Sequence, residues 1–114
     1  MRRDPLPAPG QLTDRVRIER RTLTPMPEGG LEAVYLPLGN AWARVRTLSN
    51  RFGLLDEQRA AAASHAVVLR WRNDVGAGDR IVYRGRRLEV TGTADLNGRR
   101  AYLSLTCAEQ GHAP

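Results

Sequence analysis

Apolar and polar residues alternate along most of this chain, in short runs punctuated by glycine, proline and asparagine. In "DRVRIERRT", Val16 and Ile18 face one way and Arg15, Arg17 and Glu19 the other. That period of two belongs to a strand with one covered face. "AWARVR" repeats it, with Ala43 and Val45 opposed to Trp42, Arg44 and Arg46. "HAVVLRWR" aligns His65, Val67, Leu69 and Trp71, and "RIVYRG" offers Ile81 and Tyr83. "RRLEV" supplies Leu88 and Val90, and "RAYLSLTCAE" aligns Ala101, Leu103, Leu105 and Cys107. The stretches between them are turn-forming: "TPMPEGG", "NDVGAGD", the tight corner "RGR", and "DLNGRR" with its Asn-Gly pair. Short strands joined by such turns predict a mainly β domain, a small barrel or a sandwich. A strand is expected to break between Pro37 and Asn40, where proline and glycine interrupt the second run.

One segment departs from this pattern. "NRFGLLDEQRAAAAS" is rich in helix formers, with Asp56 and Glu57 early, and predicts a short helix from about Leu54 to Ala63 or else a loop. Residues 1–11 carry prolines and no periodicity and read as a flexible arm, and residues 110–114 read as a loose tail. A single β domain over residues 12–109, with an insertion at about 50–64, is the expected organisation, since 114 residues suffice for one core.

Net charge is +6, from 18 basic residues, all of them arginine, against 12 acidic ones. Lysine also serves phosphate well, so its complete absence points to the codon bias of a GC-rich genome behind part of the arginine count. The remaining excess favours a polyanionic neighbour. No apolar run is long enough for a transmembrane helix, so no membrane association is expected, and no apolar core follows the N-terminal arginines as a secretion signal would require.

Nothing in the sequence carries catalysis. His65 opens a strand and reads as a packing or hydrogen-bonding residue, and His112 lies near the end of the chain. The lone Cys107 has no thiol to pair with and reads as a small buried residue. No metal-ligand spacing, nucleophile elbow or phosphate loop occurs, so no enzyme, cofactor or metal is expected. "GAGD" has the glycines of a turn, with no helix after it to present an anion site. Aromatic residues are 5% of the chain. Trp71 and Tyr83 are in phase with aliphatics, which leaves few stacking platforms for single-stranded nucleic acid.

The order of these pieces resembles the phage head–tail joining proteins, the head-closure or stopper family found also in gene transfer agents. "GQLTDRVRIERRT" resembles the opening Gly-x-Leu and Arg-Val-x-Ile strand, and "EGGLEAVYLPLGNAWARV" the glycine turn and the Trp-Ala-x-Val block. "GLLDEQRAAAASHAVVLRWRNDVGAGDRIVYRGRRLEV" and "RAYLSLTCAE" resemble the family's inserted segment, its Arg-aromatic-Arg strand, its Asp-Arg-Ile-x-Tyr-x-Gly-Arg block and its closing strand. The resemblance implies a closed antiparallel barrel of about six strands with an inserted loop or short helix. It implies a structural connector in the virion neck, made in the bacterial host cytoplasm. Copies would form a ring of about six, with about twelve as the alternative. Portal or adaptor proteins would sit on the head side, a tail terminator or tail tube on the other, and packaged double-stranded DNA in the channel.

Two sets of residues are expected to serve such a ring. Arg51, Leu54, Leu55 and Arg59 of the insertion are candidates for a gate over the DNA channel. Asp79, Arg80, Arg84, Arg86 and Arg87 are candidates for contacts with neighbouring subunits or partners, because arginine forms bidentate pairs with carboxylates. The alternative is a free-standing basic β-barrel that binds nucleic acid.

Overall fold

The structure, a computed structural model, describes residues 9–48 and 63–112. Six strands form: β1 (Asp14–Pro25), β2 (Leu31–Thr47), β3 (His65–Arg70), β4 (Arg80–Tyr83), β5 (Arg86–Asp95) and β6 (Tyr102–His112). Each pairs antiparallel with its neighbours in the order β1-β2-β3-β6-β5-β4, and β4 pairs back onto β1 to close the sheet. Closure follows from the alternation, because each strand has one apolar face and a closed sheet turns all of those faces inward. Val16 and Ile18 of β1, Ala43 of β2, and Val67 and Leu69 of β3 meet Ile81, Leu88, Val90, Leu103, Leu105 and Cys107 in one buried cluster. Trp71 and Tyr83 pack against its margin, partly buried. Among the described residues the remaining regular structure is two 3-10 turns, Pro9–Gln11 and Leu96–Gly98.

The break expected at Pro37–Asn40 is a bulge within a continuous strand. Ile18 pairs with Gly39 and Glu19 with Pro37, so Leu38 is the extra residue on β2. Gly39 takes φ +121°, a conformation open mainly to glycine. The extra residue lets Leu38 pack against the core while Pro37 stays exposed. Two-residue turn chemistry appears at Arg84–Gly85, where φ is +50° and +78° and β4 passes directly into β5. Asn97 and Gly98 also have positive φ, +60° and +69°, but within a longer connection that Asp95 braces by accepting the Arg100 N–H.

Near both ends, described residues expected to lie outside the domain join the fold. β6 continues to His112, with Gly111 opposite Arg87 and His112 opposite Arg86, so residues 110–112 belong to the sheet and are not a loose tail. The reason is the length of β5, whose first residues need a partner strand. At the other end the Pro9–Gln11 turn leads into Leu12, only 6% exposed, so the stretch expected to be an arm up to residue 11 joins the fold before it ends.

β1 and β2 also outrun the barrel. β4 pairs with β1 only at Arg17–Glu19, and β3 pairs with β2 only at Ala43–Thr47. Beyond those registers Arg20–Pro25 and Leu31–Leu36 have only each other as strand partners; Asp74, Asp79 and Arg80 brace the base at Arg20, Arg21 and Tyr35, and the rest projects as a two-stranded ribbon. At roughly 3.4 Å per residue, Thr22–Pro25 carry the ribbon about 14 Å beyond that brace.

Candidate functional site

Two places on the barrel are built in a way that bears on function. The first is the base of the insertion between β2 and β3. The Leu48 N–H donates to the Ser64 carbonyl at 2.8 Å, and the Ser64 N–H donates to the Cys107 carbonyl at 2.8 Å. The Ser64 hydroxyl accepts the Glu109 N–H at 2.8 Å and lies 2.8 Å from His65 Nδ1. The Ser64 side chain thus links the start of β3 to β6. His65 is 3% exposed. Its role is to lock the start of β3, as its position at the head of a strand suggested. The insertion therefore leaves the barrel through a hydrogen-bonded collar. Arg51, Leu54, Leu55 and Arg59, the gate candidates, lie outside the described residues.

The second is the arginine-rich surface, and the structure divides the arginines into two groups. Those of the β4–β5 hairpin are mostly engaged within the chain. Arg80 lies 3.5 Å from Glu19 and 3.5 Å over the Tyr35 ring, and Arg86 lies 3.6 Å from Glu109. Arg84 sits 5.2 Å over Tyr83, and Arg87 is half-buried. Asp79 is 9% exposed and accepts the N–H groups of Arg21 (3.1 Å) and Gly76 (2.9 Å). Its own backbone is fastened by the Val90 N–H at 2.8 Å. This carboxylate holds the β3–β4 loop against the barrel.

The second group was not singled out by sequence reasoning. Arg15, Arg44, Arg46 and Arg70 lie on the outer face of β1–β2–β3, exposed, with no ion pair among the described residues. Trp42, 55% exposed, lies on the same face with the Arg15 guanidinium 5.2 Å above its ring, and Arg44 and Arg46 follow it along β2. Trp42 and Arg70 line an open recess of about 420 Å³ with Gly10, Leu12 and Thr13. A second recess of about 300 Å³ lies beside it, bounded by Leu69, Trp71 and Arg72. The available signal was the phase of "AWARVR", which already placed Trp42, Arg44 and Arg46 together on the outside.

Chemistry beyond binding has little to work with here. Among the described residues no cluster of three or more His, Cys, Asp or Glu could hold a metal. Burial pushes the Cys107 thiol up to about 12, so it stays protonated and inert. Asp74 is held below the usual carboxylate range by its hydrogen bond from Arg72, a surface pair that steadies the loop after β3. No helix among the described residues is long and apolar enough to cross a membrane.

With this geometry in place, the phage head completion protein family matches residues 7–110 of the chain. The chain belongs to that family. It is thus a virion component, a head–tail structural protein. The same closed sheet occurs in the solution structure of protein SF1141 from Shigella flexneri 2a, 25% identical, with 90% of this chain and 96% of that one aligned at a TM-score of 0.66. It recurs in a chain of the virion of a native gene transfer agent particle, 18% identical, covering 83% of this chain and 92% of that one at a TM-score of 0.55. Among curated proteins no sequence matches.

Proposed function

We propose that this head completion protein forms a ring at the neck of the particle. The ring extends the DNA channel between portal or adaptor proteins and the tail terminator or tube, and it closes that channel once DNA is packaged. Family membership over residues 7–110 carries this reading. The collared insertion supports it, because a segment held at both ends by Leu48, Ser64 and Cys107 can act on the channel without loosening the barrel. Arg51 and Arg59 suit the phosphate backbone there, and Leu54 and Leu55 suit mutual packing across a narrow lumen. The role is structural, not catalytic. Electron microscopy of intact particles tests it. The expected result is a ring of about six copies below the portal, with residues 50–64 toward the lumen; about twelve copies would also fit. Density for that segment on the outer rim would remove the gate assignment, and absence of the chain from the neck would remove the ring.

The exposed arginines around Trp42 favour one other reading, a free-standing nucleic-acid-binding barrel. Such a protein would bind duplex DNA as a free subunit, with affinity falling linearly on log–log axes as salt rises. A connector would bind duplex DNA feebly before assembly.

A further inference from the structure

The projecting ribbon and the Trp42 face are opposite in chemistry and lie at opposite ends of the same strand. Between Thr22 and Leu36 the only charged residues are Glu28 and Glu32, both exposed and without an ion pair among the described residues. One ribbon face pairs Leu23 with Ala33 and Pro25 with Leu31. Leu23 and Leu31 are 53% and 60% exposed. The turn at the tip is tied by hydrogen bonds from Met26 N–H to the Gly30 carbonyl and from Gly29 N–H to the Met26 carbonyl, both 3.0 Å, so the tip has a fixed shape. At the far end, Arg70 lines both recesses with Trp42, Arg15 lies over the Trp42 ring, and Arg44 and Arg46 follow Trp42 on the same face of β2. The nearby carboxylate of Asp14 is already used, accepting the Val45 N–H at 2.8 Å.

Leu31 and Trp42 are separated by roughly 35 Å of extended strand, so the two surfaces cannot meet within one chain. We propose that they meet between copies: the acidic, leucine-bearing tip of the β1–β2 ribbon seats on the Trp42 face of the next subunit. Leu31 enters a recess beside Trp42, Glu28 at the turn faces the arginines, and Glu32, on the opposite ribbon face, adds to the negative charge of the tip. The contact joins two different patches, so it propagates head to tail and generates a ring when the rotation closes. An exposed tryptophan in a pocket rimmed by arginine is the composition expected of an interface centre. Duplex DNA would satisfy the arginines but would leave Leu23 and Leu31 uncovered. This inference rests on the ring reading and adds which surfaces form the contact.

Cysteine trapping of the full chain tests it. A Leu31→Cys/Arg70→Cys protein, oxidised at high concentration, should give a ladder of covalent multimers, and each single variant should stop at dimers. All the altered positions are exposed, so folding, checked by circular dichroism, should persist. Adding Glu28→Arg/Glu32→Arg should reduce the ladder at least tenfold, and adding Arg44→Glu/Arg46→Glu as well should restore it. The proposal is overturned if no ladder forms, if the ladder ignores the charge changes, or if Arg44→Glu/Arg46→Glu abolishes duplex DNA binding and leaves the ladder intact. A ring seen in particles with the ribbon tip away from Trp42 would sink this contact and leave the ring. A chain missing from the neck would sink the ring itself.

Discussion

Cys107 is the residue whose chemistry burial changes most. Its thiol titrates near 12 in the fold and near 9.0 when free, so the folded chain keeps a proton that the unfolded chain loses as pH rises from 9 toward 12. Stability is therefore lost over that window. The urea midpoint should fall more steeply above pH 9 in the parent than in Cys107→Ala, and a thiol reagent should react only after denaturant is added. Asp79 matters through its two oxygens. Asp79→Ala leaves the Arg21 and Gly76 N–H groups without their acceptor. A loss of about 2 kcal/mol in urea unfolding is expected, together with faster amide exchange at Gly76. The Arg72–Asp74 pair contributes the opposite pH dependence. Its stabilisation is present above the ordinary aspartate range and disappears as pH falls through the lowered folded value. Partial exposure of both side chains keeps it to a few tenths of a kcal/mol.

At the scale of elements, the strands divide into those that make the barrel and the ribbon that leaves it. A core substitution such as Leu105→Ala, at 0% exposure, should cost about 2–5 kcal/mol. Leu31→Ala at the ribbon tip should cost the isolated chain under about 0.5 kcal/mol, as surface changes usually do, because that side chain is 60% exposed. Thermal unfolding of the two variants checks the contrast. Gly85 offers a cleaner test of the turn. A Cβ there would meet nothing within 4 Å, yet φ is +78°. Gly85→Ala should therefore cost about 1 kcal/mol from backbone strain alone.

For the whole molecule, the barrel presents a β4–β5 hairpin whose Arg80 and Arg86 are paired and a basic face with no ion pair among the described residues. The arginines of the hairpin carry charge in the sequence but spend it on Glu19, Glu109 and aromatic rings. Those on the Trp42 face have no ion pair among the described residues. Raising salt should consequently weaken any association made through the Trp42 face while leaving unfolding of the single chain nearly unchanged, since exposed pairs contribute little to stability. Sedimentation and urea titration at low and high salt separate the two effects.

The strand phases were legible because burial on one face forces a period of two, and "DRVRIER", "VVLRW" and "YLSLTC" obey it from Val16 to Cys107. The bulge was half legible. Pro37 and Gly39 marked the position, but only pairing with Ile18 and Glu19 shows that the strand runs on through it. The extent of β6 was not legible, because "QGH" has no pattern of its own and is held by the opposing residues of β5. Which arginines are spent inside the chain was equally beyond the sequence. Asp79, Arg80 and Arg86 look as free as Arg44 and Arg46 when read in order, and their partners Arg21, Glu19 and Glu109 lie far away along the chain. Alternation, a local property, determined the fold class. Charge pairing between distant residues, which exists only once the sheet has closed, decided which arginines are engaged within the chain.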